Sequence, residues 1–403
     1  MASSKYDFDE VINREGTNAM SLTGYKGYLF EPDEDLSGKY EEEDFIPMWV
    51  ADMEFAIAPE IMTAMKKRLE HPLLGYSMVA DPAFPFAFQQ WCTNRYGWKP
   101  NLEHLAHAKG VVPALYSLIG LICKPDEKVL VVTPSYAFFK HGVDFNGVEL
   151  VCSDLIEKEG EFYMDMADIK DKAADEKCVL GIFCNPHNPT GRAWSKEELQ
   201  ELGEVCITNG LTIISDEIHC DLLRSDKSFT PMAQLFPESD QIITCMSPSK
   251  TFNLAGNLFA NIVIPNDELR RTYKENYLPI ENPLSIVAAQ AAYTDGSIWL
   301  AELVAYLDDN FKYLKEQLDK HLPHTKFVIP DSTYLAWVNV SHYFPDDENL
   351  TLFFARNAGV LLEGGDMFVA NANGYIRLNL GAPRARLKEG IHRVITAILE
   401  KNS

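Results

Sequence analysis

Residues 178–191 read CVLGIFCNPHNPTG: an unbroken apolar run that ends in two Asn-Pro pairs and a closing glycine. A short apolar run bounded by turn residues reads as a strand covered on both faces. Asn-Pro, Asn-Pro and Gly make a tight turn for conformational reasons alone. The same pattern recurs on either side, in residues 128–134 (KVLVVTP), 147–155 (GVELVCSDL), 211–217 (LTIISDE), 241–247 (QIITCMS) and 258–265 (LFANIVIP). Between two of these runs, Ser195-Lys196-Glu197-Glu198 has the form of a capping box, and the helix it opens stops at Asn209-Gly210. Strand, helix, strand in this order implies right-handed crossovers, hence an α/β fold with a mainly parallel sheet flanked by helices.

Further out the pattern changes. The first segment is polar and irregular, and its acidic stretch at 33–44 (DEDLSGKYEEED) reads as a solvated surface. After about residue 287 a helical stretch runs through Ile298-Trp299-Leu300 to Leu322, followed by the strand-like segments STYLAWVNV and GYIRLNL and a last helix. The expected organisation is a large domain at 48–286, a smaller α/β domain at 287–403, and an N-terminal segment, 1–47, that joins the small domain.

The chain has 403 residues, with 36 Lys and Arg against 59 Asp and Glu. A formal charge of -23 repels phosphate backbones and anionic lipid, so neither nucleic acid nor a membrane is an expected partner. The opening residues lack a basic segment followed by an apolar run, and the expected location is the cytoplasm. Eight scattered cysteines without a C-x-x-C pair read as reduced thiols, and no metal is expected.

In open α/β sheets ligands sit beyond the carboxyl ends of the strands. Those ends carry Pro134-Ser135-Tyr136, the 185–191 turn, Asp216-Glu217-Ile218-His219 and Ser247-Pro248-Ser249-Lys250. A lysine at one strand end is by itself only a solvated charge, and an aspartate at another only a helix cap. Together they suit one cofactor. A lysine held close and partly desolvated can condense with the aldehyde of pyridoxal phosphate, and a carboxylate keeps the pyridine nitrogen protonated so that the ring draws electrons.

NPHNPTG, SDEIH and SPSK, with TPSY before them and IRLN after them, resemble the aspartate-aminotransferase-like, fold type I pyridoxal-phosphate enzymes over nearly the whole chain. Residues 48–55 (MWVADMEF), 74–77 (LGYS) and 332–337 (STYLAW) are similar to the MalY/PatB-type cystathionine β-lyase branch. The resemblance implies that Lys250 holds the cofactor, Asp216 pairs with its ring nitrogen, Asn188 bonds its phenolic oxygen and Tyr136 stacks on the ring. His219 stands where many relatives have a tyrosine near that oxygen, and a structural histidine is the competing reading. For the phosphate, residues 110–115 (GVVPAL) lead into an apolar helix, so the amides of Ala114 and Leu115 are expected at a helix N-terminus. Ser247 and Ser249 would add hydroxyls, and Tyr76 would reach the phosphate from the partner subunit of a homodimer.

Arg377 would take the substrate α-carboxylate, an internal salt bridge being the alternative. Asp52 and Met53 are expected on the substrate side, whereas Arg384 reads as structural. One departure narrows the chemistry. Aspartate aminotransferases carry an arginine shortly after the lysine, and residues 251–258 (TFNLAGNL) have no base. The expected activity is therefore a C–S β-lyase that converts L-cystathionine or a related sulfur amino acid to a thiol, pyruvate and ammonia by β-elimination. An aminotransferase acting on a small L-amino acid is the first alternative, and a regulatory protein that keeps the cofactor fold is the second.

Overall fold

The computed structural model describes residues 5–370 and 372–403. Its centre is a seven-stranded sheet: β1 (Leu105–Ala108), β2 (Lys128–Thr133), β3 (Glu149–Asp154), β4 (Cys178–Cys184), β5 (Thr212–Asp216), β6 (Ile242–Met246) and β7 (Ala260–Val263). Their order across the sheet is β1-β7-β6-β5-β4-β2-β3. β2 to β6 are mutually parallel, and β7 runs antiparallel to both of its neighbours. The six apolar runs of the sequence supply β2 to β7. β1 joins them at the edge.

Pleating explains why these strands are apolar throughout. Val129 and Val131 of β2, with Leu180, Ile182 and Ile214, face the helix Val111–Ile122 through Leu115 and Leu118. Leu130 and Val132, with Phe183, Ile213 and Ile242, face Leu199 and Leu202 of the helix Lys196–Thr208. Each of these fully buried aliphatic side chains stabilises the fold by roughly 2 kcal/mol. The second helix is capped as its sequence implies: the Ser195 hydroxyl accepts from the Glu198 amide at 3.2 Å, and the Ser195 amide donates to the Glu198 carboxylate at 2.7 Å.

The C-terminal part has its own sheet, formed by β8 (Leu335–Asn339), β9 (Glu363–Gly364) and β10 (Tyr375–Asn379) in the antiparallel order β8-β10-β9. Phe311, Leu314 and Leu318 of the helix Ser297–His321 pack over it with Phe354 and with Ile391 and Val394 of the last helix, Arg384–Lys401. Ile46 and Pro47 pair in parallel with Val360 and Leu361. The chain then continues from Met48 to Asp52 along the seam between the two sheets: Asn379 donates its backbone N–H to Met48 O and its side-chain amide to Val50 O. Among the described residues no helix is long and apolar enough to cross a membrane.

Candidate active site

The carboxyl ends of β2, β4, β5 and β6 open on a cavity of about 230 Å³. Tyr136, Asn188, Asp216, His219, Ser249 and Lys250 line it, together with Ala51 and the helix start Gly110–Pro113. The short helix Pro248–Thr251 after β6 presents Lys250. Its Nζ donates to the backbone oxygen of Ala51 at 2.6 Å. Burial pushes this amine down to about 8, helped by the positive field of Arg377 and opposed by Asp52 and Asp216. Neutral amine, the nucleophilic form, is thus available near physiological pH.

Asp216 closes β5. Among the described residues its carboxylate accepts one hydrogen bond, from the Ile218 amide at 3.2 Å. Desolvation pushes its carboxyl up to about 7, against the opposing pull of that amide and of Lys250. A buried carboxyl with so little of its bonding capacity used is built to meet a donor from outside the chain.

Asn188 follows the Pro186-His187 turn, and its Oδ1 accepts from Arg377 Nη1 at 3.1 Å. That bond fixes the amide's orientation and leaves its NH2 to donate into the cavity. The Tyr136 ring lies at 5.2 Å from Phe138, and burial raises its hydroxyl pKa. His219 is pushed down to about 3 by burial, then by the fields of Lys250 and Arg377, so its ring is neutral. Its Nδ1 has no partner among the described residues, and Tyr334 meets the ring edge-on at 6.4 Å.

These groups fit pyridoxal phosphate in chemistry and in number: an amine for the aldehyde, a buried acid for the ring nitrogen, an amide donor for the phenolic oxygen and an aromatic face. The phosphate donors need a correction. The helix begins at Val111, with Gly110 as its cap at φ 131, and Ala114 already donates to Gly110 O at 3.3 Å. Ala114 and Leu115 are buried inside the first turn and do not line the cavity. The free amides at this N-terminus are those of Val111 and Val112, since Pro113 has none. Ser249 lines the cavity. Ser247 lies behind it, where it caps the 248–251 helix and bonds Phe259 O at 2.6 Å.

Of the expected substrate-side residues, Met53 is displaced. Its side chain is buried in the main core, and its backbone is tied to Asn253 by bonds of 3.0 and 2.9 Å. The Asp52 carboxylate pairs with Arg14 at 2.7 Å. Arg377 sits behind Asn188, and it forms an ion pair with Glu363, so the internal salt bridge is present. Tyr76 is 93% exposed and does not line the cavity of its own chain.

Three contributors escaped the sequence reading. Ala51 offers one carbonyl to both Lys250 and the Tyr334 hydroxyl, the latter at 2.8 Å. Glu363 and Tyr28 gather around Arg377. An acid inside VLLEGG, where burial is costly, was a legible signal for Glu363. Tyr28, in an irregular polar segment, gave none.

The aminotransferase class I and II family profile matches residues 43–394. The cystathionine beta-lyase PatB of Bacillus subtilis (strain 168) is 38% identical over 361 residues, covering 88% of this chain and 93% of its own length. Protein MalY of Escherichia coli (strain K12) is 28% identical over 398 residues, with 98% and 99% covered. A PLP-bound C-S lyase from Staphylococcus hominis superposes with a TM-score of 0.94 at 46% identity, over 98% of this chain and 99% of that one. With the strand-end lysine, the buried acid and these likenesses along its length, the chain belongs to the aminotransferase class I and II family, in the branch that holds PatB and MalY.

Proposed function

We propose that this chain is a pyridoxal-phosphate-dependent C–S β-lyase, releasing a thiol, pyruvate and ammonia from L-cystathionine or a related sulfur amino acid. The observation that carries the reading is Lys250, a buried amine of lowered pKa set in one cavity with the nearly unpartnered Asp216. Relatives named as lyases across almost the full length support the choice of reaction. Pyridoxal phosphate, when bound, supplies an electron sink for the charge left on the substrate α-carbon. Lys250 would attach it, Asp216 would keep its ring nitrogen protonated, Asn188 would donate to its phenolic oxygen, Tyr136 would cover its face, and the Val111 and Val112 amides with Ser249 would receive its phosphate.

With cofactor and substrate bound, Lys250 Nζ would be positioned to take the substrate α-proton as a base. The Ala51 carbonyl holds that amine at 2.6 Å, and Tyr334 steadies the carbonyl from the other side. Arg377 orients the substrate through its α-carboxylate. His219, neutral, serves as a hydrogen-bonding wall rather than an acid.

The same reading assigns residues 48–286 to a large domain and 287–403 to a small one, in keeping with their separate sheets, while one core cluster joins Phe84 and Trp91 to Ala288, Tyr293 and Leu303 across that boundary. Residues 1–47 join the small domain; of these, 1–4 lie outside the described residues. It also places the chain in the cytoplasm, consistent with eight free thiols. A homodimer is part of the proposal, with Tyr76 of each subunit serving the other's site. Its support is the apolar exposure of Leu73, Leu74, Tyr76 and Met78 in one stretch.

The deciding assay offers a panel of sulfur amino acids with and without a keto acid, following thiol and pyruvate. Pyruvate from cystathionine with no keto acid added is the expected result. A strict requirement for a keto acid would make the protein an aminotransferase.

A further inference from the structure

Arg377 is already engaged before any substrate arrives. Nη1 donates to Asn188 Oδ1 and Nη2 to Trp49 O, each at 3.1 Å, while Nη2 also contacts the Glu363 carboxylate. Nε is buried and has no partner among the described residues. Glu363 faces Arg377 directly across the β9–β10 ladder and accepts a hydrogen bond from the Tyr28 hydroxyl. The two side chains are 3% and 5% exposed. A carboxylate that grips a guanidinium side-on uses Nε and the adjacent Nη2. Nε is the guanidinium donor left without a partner, and the adjacent Nη2 is the atom Glu363 holds.

A substrate carboxylate at this edge therefore places two carboxylates on one guanidinium, away from water. Two such anions in one desolvated site raise each other's pKa, which favours uptake of a proton by one of them. We propose that Glu363 is a positioning residue that couples docking of the substrate α-carboxylate on Arg377 to the uptake of one proton from solvent. This inference rests on the reading of Arg377 as the carboxylate site. On docking, a Glu363 carboxylate oxygen accepts the proton and releases its charge claim on Nη2. The guanidinium stays charged and stays anchored through Asn188 and Trp49.

The groups that face Glu363 are Arg377 from β10, Tyr28 from the N-terminal segment and, at longer range, Lys250 after β6 and Tyr136 after β2. Burial raises the Glu363 carboxyl pKa while Arg377 and Tyr28 hold it down, so the proton lies within reach of a second anion's field. Tyr28 is itself raised by burial and by Glu363, and keeps its proton throughout.

The test uses the holoenzyme and 3-(methylthio)propanoate, a thioether carboxylate with no amine to react. Calorimetric titration in two buffers of different ionisation enthalpy should show uptake approaching one proton per site. The dissociation constant should rise with pH by up to about tenfold per unit. In Glu363→Gln both effects should vanish; a contribution from Lys250 would persist in that variant. Binding by the wild type without proton uptake overturns the proposal, whether or not the variant folds. Arg377→Lys separates the two layers. If it weakens the probe at least tenfold while the wild type binds without proton uptake, the carboxylate site stands and the role of Glu363 falls. If it leaves affinity unchanged, the carboxylate-site reading fails and takes the proposal with it.

Discussion

On either side of the Glu217–Cys220 turn sit two buried acids, Asp216 and Asp221, each 4% exposed. Asp221 is surrounded by donors from its own chain. Arg95 Nε lies at 2.7 Å, the Tyr96 hydroxyl at 2.5 Å, Thr251 Oγ1 at 3.1 Å and Trp91 Nε1 at 3.2 Å. Asp216 has one backbone amide. The same segment can saturate a carboxylate and does so where the purpose is structural: Asp221 fastens the residue next to Lys250 to the helix Ala83–Tyr96. Where a ligand must supply the missing donor, the protein leaves its acid short.

The contrast can be broken at several points. The largest effect is expected at the residue both acids serve: Lys250→Ala should lower turnover on the order of 10⁴-fold or more and remove the absorbance of lysine-bound cofactor. Wild-type rates in that variant would remove Lys250 from the chemistry.

Asp216→Asn should lower turnover by about 10²- to 10³-fold, because an amide no longer holds the ring nitrogen's proton. Its effect on the cofactor-free protein has the opposite sign. Burial pushes the Asp216 carboxyl up to about 7, above the ordinary 3.8 of an aspartate. Its contribution to stability is fully present below the lower value and is lost as pH rises through the higher one, about 4 kcal/mol in all. Urea titrations of apo wild type and Asp216→Asn should show the wild type losing that margin between about pH 4 and pH 7. Parallel pH profiles for the two proteins would contradict the assignment.

Asp221→Ala should instead cost on the order of 3 kcal/mol of stability, since Arg95, Tyr96 and Trp91 lose their common acceptor. Because this acid owes nothing to the cofactor, the loss should be similar with and without it. The smallest effect belongs to Thr251→Val, which removes one bond to Asp221 and should cost about 1 kcal/mol by urea midpoint.

Much of this was legible in residue patterns. The apolar runs marked β2 to β7 because strands buried on both faces have few other spellings, and the turn residues at their ends marked the rim. β1, with the sequence LAHA, carries little β-branched character, and its place at the edge depends on β7 arriving antiparallel beside it. No local pattern encodes that direction. The phosphate amides were placed a few residues late because the start of the helix is set by the Gly110 conformation, not by where the apolar stripe begins. Met53 sits in a segment that does approach the site, yet its side chain packs into the core while Ala51 contributes a carbonyl. Backbone groups have no signature in composition, so that contribution was invisible.

The 48–52 segment has a consequence for biogenesis. Its carbonyls wait for Lys250, Tyr334, Arg377 and Asn379, partners separated from it by about 200 to 330 positions. Closing loops of that length is slow compared with forming local helices. A nascent chain can therefore build the large sheet on the ribosome and still lack a seated lysine until the last strand has emerged. Pulse-labelled hydrogen exchange during refolding should find the amide of Met48, bonded to Leu361 O, protected after those of β4 and β5. On the proposed role of Lys250, the reactive centre is then among the last parts of the molecule to mature.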